Sequence, residues 1–278
     1  MTVFPVAKIN LGLNVVERRP DGYHNLETVF MPLRGLHDAL EVSVMDEAFP
    51  SAVDCDLMVT NIAIDGDEQK NLVVKAYRLL KEEFPTLPRV HAHLYKAIPT
   101  QAGMGGGSSD GAAMLCLLNQ MFSLGLSRQQ LIDRAARLGA DCPFFVVGSP
   151  AYAEGIGERL VPIDLTVSGL HIVVVRPDIP VPTKEAFSLI SPRRPKTNCR
   201  DVVLAQPLET WPTDLVNDFE TSVFALHPEI AAIKDRLYAL GAAYAAMSGS
   251  GSAVFGLFRE EPCLAGEFEK MFMWKGVI

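Results

Sequence analysis

Cysteine is scarce and scattered in this chain: Cys55, Cys116, Cys142, Cys199 and Cys263 are odd in number, and no two form a Cys-x2-Cys pair. That pattern excludes a zinc ribbon or a disulfide frame and reads as reduced, mostly buried thiols of a cytoplasmic protein. Long apolar runs are missing too, since candidates such as Ile172–Val175 are far short of the roughly 20 residues that cross a bilayer. Positive charge is in deficit, with 25 Lys and Arg against 33 Asp and Glu, and a net charge of −8 argues against broad nucleic-acid binding. The N-terminus enters a strand pattern at once, so no signal or transit peptide is expected. No internal repeat or low-complexity segment is evident. What remains is a globular chain of 278 residues, 49% hydrophobic and 21% charged. It is long enough for two ordinary cores, and two lobes are expected.

Against that background one stretch stands out: Pro99-Thr-Gln-Ala-Gly-Met-Gly-Gly-Gly-Ser-Ser109, with glycines at 103, 105, 106 and 107. Before it, Val90 to Ile98 reads as a strand, in which Val90, Ala92 and Leu94 alternate with His91, His93 and Tyr95. After it, Ala112, Leu115, Cys116, Leu118 and Phe122 recur at helical spacing. Strand, glycine loop and helix in that order gather unpaired backbone N–H groups at the positive end of a helix dipole, where a phosphate chain binds. Ser108 or Ser109 is the expected N-cap. Two familiar phosphate loops are excluded. A Walker A loop needs a lysine that does not follow Gly107, and a dinucleotide fingerprint counted from Gly103 needs glycine where Ser108 stands.

The rest of the chain supplies candidate partners. Val3 to Val16 reads as a strand with Val6, Lys8 and Asn10 on one face and Ala7, Ile9 and Leu11 on the other. Spacing alone makes the lysine face a solvated one. Pro20-Asp21-Gly22 is turn chemistry leading into Tyr23 and His24. Residues 36–64 suggest a β-meander, over 40–44 and 56–64. Asn71 is placed to cap an amphipathic helix with Leu72, Val73, Ala76, Leu79 and Leu80 as its stripe. Ser127 and Gln130 form a capping box for a helix stopped by Gly139, and Asp141 then stands before a short helix opening at Cys142-Pro143. A hairpin is expected over 151–160 and a buried strand over 170–176. Thr183 is the expected cap of a helix running through Phe187, and the five prolines of 191–212 suggest a loop. A helical stretch begins at Asn217-Asp-Phe-Glu220, and a helix over 228–240 stops at Gly241. Ser248-Gly-Ser-Gly-Ser252 then joins strands 243–247 and 253–258 as a tight turn.

Taken together, Pro-x3-Gly-Met-Gly-Gly-Gly-Ser-Ser resembles the phosphate loop of the GHMP kinases, which include galactokinase and the homoserine, mevalonate and phosphomevalonate kinases. The triple glycine most resembles the branch whose acceptor is a diphosphocytidyl-methylerythritol. Ala7-Lys-Ile-Asn-Leu11 followed by Arg19-Pro-Asp-Gly-Tyr-His24 is similar to that branch's N-terminal segment. Leu138-Gly-Ala-Asp141-Cys-Pro-Phe144 resembles its catalytic-aspartate segment, and Ser248–Ser252 its third motif. The resemblance implies an α+β, two-lobed fold, with a ribosomal-S5-domain-2-like lobe over 1–159, a ferredoxin-like lobe over 160–278, and the active site in the cleft between them. It implies ATP as phosphoryl donor, with Mg²⁺ accompanying the nucleotide and its ligand left open between Ser108 and Ser109. Lys8 and Asp141 take the catalytic roles on this basis. Pro99, Gly103, Met104, Gly105, Gly106, Gly107, Ser108 and Ser109 hold ATP, with Asn71 and Lys96 beside the adenine. Met104, standing where leucine is commoner, is similar in volume. Asn10, Tyr23, His24, Thr183 and Phe187 hold the acceptor, whose 2-hydroxyl is phosphorylated on the non-mevalonate route to isoprenoid precursors. No nucleic acid, membrane or obligate protein partner is expected. The alternatives are a GHMP kinase of mevalonate or homoserine type, a non-catalytic nucleotide-binding regulator, and, more distantly, an RNA-binding protein with the S5-like lobe.

Overall fold

The computed structural model describes residues 1–46, 48–64, 66–165 and 167–278. The chain opens with β1 (Thr2–Val3), β2 (Val6–Arg18), β3 (His24–His37), β4 (Ala39–Val44) and β5 (Cys55–Asn61). A 3-10 turn at Glu68–Lys70 leads to α1 (Leu72–Glu83), β6 (Val90–Lys96), α2 (Gly106–Met121), α3 (Arg128–Leu138) and α4 (Cys142–Val147). Then come β7 (Ala151–Gly155), β8 (Arg159–Pro162), β9 (His171–Arg176), α5 (Thr183–Ala186), α6 (Cys199–Ala205), a 3-10 turn at Leu208–Thr210 and α7 (Trp211–Asp214). The chain closes with α8 (Glu220–Leu226), α9 (Pro228–Ala239), β10 (Tyr244–Met247), β11 (Val254–Phe258) and β12 (Phe272–Val277). The class is α+β.

Packing groups these elements into two compact units. One comprises Met1–Ala7, Arg34–Thr100 and Gly105–Gly148. Its sheet runs β1-β4-β6-β5, with β4 antiparallel and β5 parallel to β6. The expected meander over 36–64 is therefore corrected: β6 lies between β4 and β5, and α1 makes the crossover that a parallel pair requires. Helix α1 forms where the spacing predicts. The Asn71 side chain accepts from Val73 N at 2.9 Å, and the buried stripe is Val73, Val74, Ala76, Tyr77, Leu79 and Leu80. The capping box of α3 is present, while Gly139 ends that helix in extended backbone, not a left-handed turn. Leu40, Val42, Leu94, Tyr77, Met114 and Leu118 meet in this unit's core.

The other unit comprises Lys8–Leu33, Gln101–Met104 and Ser149–Ile278. It holds the sheet order β2-β3-β7-β8, whose β7 and β8 form the expected hairpin, and a second sheet ordered β10-β11-β9-β12. Val173, Val175, Phe219, Ile230, Leu237 and Met247 belong to its core. The loop expected over 191–212 contains α6 and α7, because Cys199, Val202 and Trp211 are buried and anchor short helices that propensity alone would not form. β12 lies beyond the last strand expected from sequence. It pairs antiparallel with β9 and alternates half-buried Phe272, Trp274 and Gly276 with exposed Met273, Lys275 and Val277.

Candidate active site

In the first unit the glycine stretch ends strand β6 and opens α2. The serine caps expected from sequence are corrected here. The N-cap is Gly105, in left-handed backbone at φ 69°, and Ser108 and Ser109 lie inside the first turn. Ser109 N donates to Gly105 O at 2.9 Å, while the N–H groups of Gly106, Gly107 and Ser108 have no earlier helical turn to donate to. The last two glycines differ in surroundings. A side chain at Gly106 would meet Ile98 Cγ2 at 2.9 Å and Lys96 Nζ at 3.2 Å, whereas one at Gly107 would meet nothing within 4 Å. Only Gly107 therefore faces open space.

Beneath that helix start lies a buried charge cluster. Lys96, only 1% exposed, donates through Nζ to Asp38 Oδ2 and, at 2.9 Å, to Asp110 Oδ2. The other Asp38 oxygen accepts Ala97 N at 2.6 Å and Ile98 N at 2.8 Å. Asp38 thus fixes the backbone just where β6 turns toward the glycines. Burial pushes the Asp110 carboxyl up to about 8 against the opposing pull of Lys96, and its Oδ1 has no hydrogen-bond partner. A neutral carboxyl there leaves less charge unsolvated than a carboxylate would.

Asp141 occupies the N-cap position of α4 in helical backbone and makes no capping bond through its side chain. Its neighbour Cys142 is completely buried, with its thiol beside the Ser108 side chain. Burial pushes that thiol up to about 11, so it stays protonated. Helix α4 packs on α2, which brings the Asp141 segment to the first turn of the glycine helix.

In the second unit the lysine face of β2 is buried, not solvated. Lys8 is 3% exposed and Asn10 2%. Lys8 Nζ donates to Asn10 Oδ1 at 2.6 Å and to the Gly103 carbonyl at 2.8 Å, and lies 5.1 Å from the Phe30 ring centre. Asn10 Nδ2 donates to Thr28 Oγ1 at 3.0 Å, and the Asn10 N–H donates to Ser248 Oγ at 3.3 Å. Ser248 Oγ donates in turn to the Gly103 carbonyl at 2.9 Å. Gly103 has φ 73°, and a Cβ there would lie 1.9 Å from the Ser248 carbonyl oxygen, so the loop at 248–252 sits directly on its backbone.

Away from Lys8, His24 and Phe187 stack with ring centres 4.6 Å apart and planes 19° apart, and Phe219 meets Phe187 edge-on at 4.7 Å. Burial and the nearby Arg18 hold the His24 imidazole below its ordinary range, which favours the neutral ring. Tyr23 is 62% exposed in the turn before it. Thr183 is the first residue of α5 and makes no cap. Pro182 occupies the N-cap position without a side-chain bond, and Phe187 is the C-cap, not part of the helix.

Comparison with known proteins decides the family. Residues 71–149 match the family described as GHMP kinases N terminal domain, and residues 200–262 match GHMP kinases C terminal. The chain is 50% identical over 276 residues to the 4-diphosphocytidyl-2-C-methyl-D-erythritol kinase of Bacteroides fragilis, covering 99% of this chain and 98% of that protein. This chain belongs to the 4-diphosphocytidyl-2-C-methyl-D-erythritol kinase family of the GHMP kinases. A crystal structure of 4-(cytidine 5'-diphospho)-2C-methyl-D-erythritol kinase matches at a TM-score of 0.78 and 35% identity, covering 92% of this chain and 90% of that one. Methanococcus jannaschii mevalonate kinase shares the fold alone, at a TM-score of 0.66 and 12% identity over 99% of this chain and 97% of that one.

The family segments thus gather in two sets. Within one unit stand Asn71, Lys96, Pro99, Gly105 to Ser109 and Asp141, and within the other Lys8, Asn10, Tyr23, His24, Gly103, Met104, Thr183 and Phe187. Sequence reading gave Asp38 and Asp110 no role, and took Asn217 only as the start of a helical stretch. Asp110 directly follows the serines of the motif, and that adjacency is the only signal its sequence carries. The bonds of Asp38 and Asn217 carry no local signal, because their partners lie 58 and about 30 positions away. All five cysteines are free thiols, and among the described residues no helix is long and apolar enough to cross a membrane.

Proposed function

We propose that this chain transfers the γ-phosphoryl group of ATP to the 2-hydroxyl of 4-diphosphocytidyl-2-C-methyl-D-erythritol, yielding the 2-phosphate and ADP on the non-mevalonate route to isoprenoid precursors. The observation that carries this reading is near-full-length identity to kinases of that name. ATP enters as its Mg²⁺ complex, with the ion held mainly by phosphate oxygens. Ser108 is half-buried and Ser109 fully buried, so Ser108 is the hydroxyl that would help hold that ion. The N–H groups at the start of α2 receive the phosphates. Lys96 supports that helix from below through Asp38 and Asp110, in place of the adenine contact expected from sequence. Asp141 accepts the proton of the acceptor hydroxyl, and Lys8 neutralises charge developing on the transferred group, the two protein tasks that phosphoryl transfer requires. His24 and Phe187 hold the cytosine, with Tyr23 and Thr183 at its margin and Asn10 near the reacting end. Five free thiols fit an enzyme of the reducing cytoplasm.

Turnover with ATP against a panel of 4-diphosphocytidyl-2-C-methyl-D-erythritol, mevalonate and homoserine tests the assignment. Activity confined to the first compound is expected, and robust mevalonate turnover with none of the first would sink it. Phe187→Ala removes a stacked contact of about 0.5–1.5 kcal/mol beyond area burial, so the acceptor KM rises several-fold. The KM for ATP stays near the wild type in steady-state assays. Equal damage to both would make Phe187 a core residue only. The last two glycines of the stretch give a sharper pair. Gly107→Val keeps the melting temperature but loses ATP binding in calorimetric titration. Gly106→Val pushes into Ile98 and Lys96 and destabilises the fold by about 1–3 kcal/mol, the usual cost of overpacking. Wild-type ATP affinity in Gly107→Val would reduce the glycine stretch to a connector.

A further inference from the structure

Asn217, in the connection that leads into α8, is 3% exposed and uses its whole amide. Its Nδ2 donates to the Met247 carbonyl at 2.7 Å and to the Gly249 carbonyl at 2.8 Å, and its Oδ1 accepts Phe219 N at 3.0 Å. Three residues on, Glu220 accepts Met247 N at 2.8 Å and is itself paired with Lys234. Both peptide groups of Met247, where β10 ends and the Ser248–Ser252 loop begins, are therefore fixed from this one segment. The same segment is tied to β2. Leu13 N donates to Val216 O at 2.9 Å, Asp218 N to Leu13 O at 2.8 Å, and Val15 N to Asp218 Oδ2 at 2.8 Å. On its far side, Phe219 carries Phe187, and Ser222 Oγ accepts Leu189 N at 3.1 Å.

The loop that Asn217 holds is the one that holds Gly103. Ser248 Oγ donates to the Gly103 carbonyl, the oxygen that also receives the Lys8 ammonium, and Ala253 N donates to Ala102 O at 3.2 Å. An unbroken set of buried and half-buried bonds thus runs from the Asn217 amide through the 247–249 backbone and Ser248 to the lysine that the proposed chemistry uses. A buried amide with every donor engaged fixes its partners, since any displacement leaves a polar group unpaired. We propose that Asn217 is a positioning residue for phosphoryl transfer. It sets the Ser248–Ser252 loop, and through Ser248 and the Gly103 carbonyl it sets the place of Lys8. This inference rests on the kinase reading above.

Asn217→Asp tests it with almost no change of shape. The oxygen accepting Phe219 N is retained, and the donor is replaced by an oxygen facing two carbonyl oxygens. Displacing a catalytic group by about 1 Å costs on the order of 100-fold in rate, so kcat falls by about 10–100-fold. KM for ATP and for the acceptor stay within about threefold, because the helix start and the His24–Phe187 stack are untouched. A purely structural role predicts a different signature: fewer active molecules, each with the wild-type kcat, in an active-site titration. Ser248→Ala cuts the same set of bonds at its next member and decides the matter should Asn217→Asp fail to fold. It shows the same kcat-selective loss, and combined with Asn217→Asp in a folded protein it adds little further loss, since both act on one path. Wild-type kcat in folded Asn217→Asp or in Ser248→Ala overturns the inference while the kinase reading stands. A wild-type protein that turns over none of the diphosphocytidyl substrate in the same assay removes both.

Discussion

Asp141→Asn lowers kcat by about 10²–10⁴-fold, the range a general base contributes, while ATP affinity stays within a few-fold of the wild type. The substitution conserves volume and hydrogen-bonding reach but removes the group that accepts a proton. The fold should survive it. The side chain makes no capping bond to α4, and that helix is set instead by Pro143 in its first turn and by completely buried Cys142 against Ser108. Steady-state kinetics together with calorimetric titration of a non-hydrolysable ATP analogue separate the two quantities. A kcat within fivefold of the wild type would exclude Asp141 as the base. Lost nucleotide binding at wild-type kcat would move it to the nucleotide site.

Gly103→Ala, the smallest possible side-chain addition, abolishes turnover. The new methyl would lie 1.9 Å from the Ser248 carbonyl oxygen at a backbone φ of 73°. Neither conflict can be relieved by a rotamer change, because both partners are backbone. The left-handed conformation alone costs a non-glycine residue about 1 kcal/mol or more, and separating the two segments adds the loss of buried hydrogen bonds. The bonds at risk are those that Ser248 and Lys8 make to the Gly103 carbonyl, so Lys8, the lysine of the proposed chemistry, loses its fixed place. Expected are a fall in kcat of more than about 100-fold and a melting temperature lowered by several degrees, from a destabilisation on the order of 2–4 kcal/mol. Gly107→Ala, where nothing lies within 4 Å, is the control and keeps its melting temperature. An active, stable Gly103→Ala protein would show that the contact between this loop and Ser248 is dispensable.

The sequence alone determined what depends on neighbours in the chain. Helices α1 and α3 start where Asn71 and Ser127 stand, because a cap acts on N–H groups two or three positions away. Strand β6 alternates as its residues do, and the glycines lie between a strand and a helix as the flanking periodicities predict. The family motifs were legible for the same reason: each is a short contiguous run. Tertiary structure decided everything that rests on what covers a face. Periodicity places Lys8 and Asn10 on one side of β2 but says nothing of burial. Their cover comes from Gly103 and Ser248, 95 and 238 positions along the chain from the residues they bond. The insertion of β6 between β4 and β5, the short helices held by Cys199 and Trp211, and the edge strand β12 are likewise non-local. The Asp38–Lys96–Asp110 cluster and the Asn217 amide belong to this class. Each group is an ordinary polar residue in sequence, and only close packing removes its water and turns its few partners into fixed geometry.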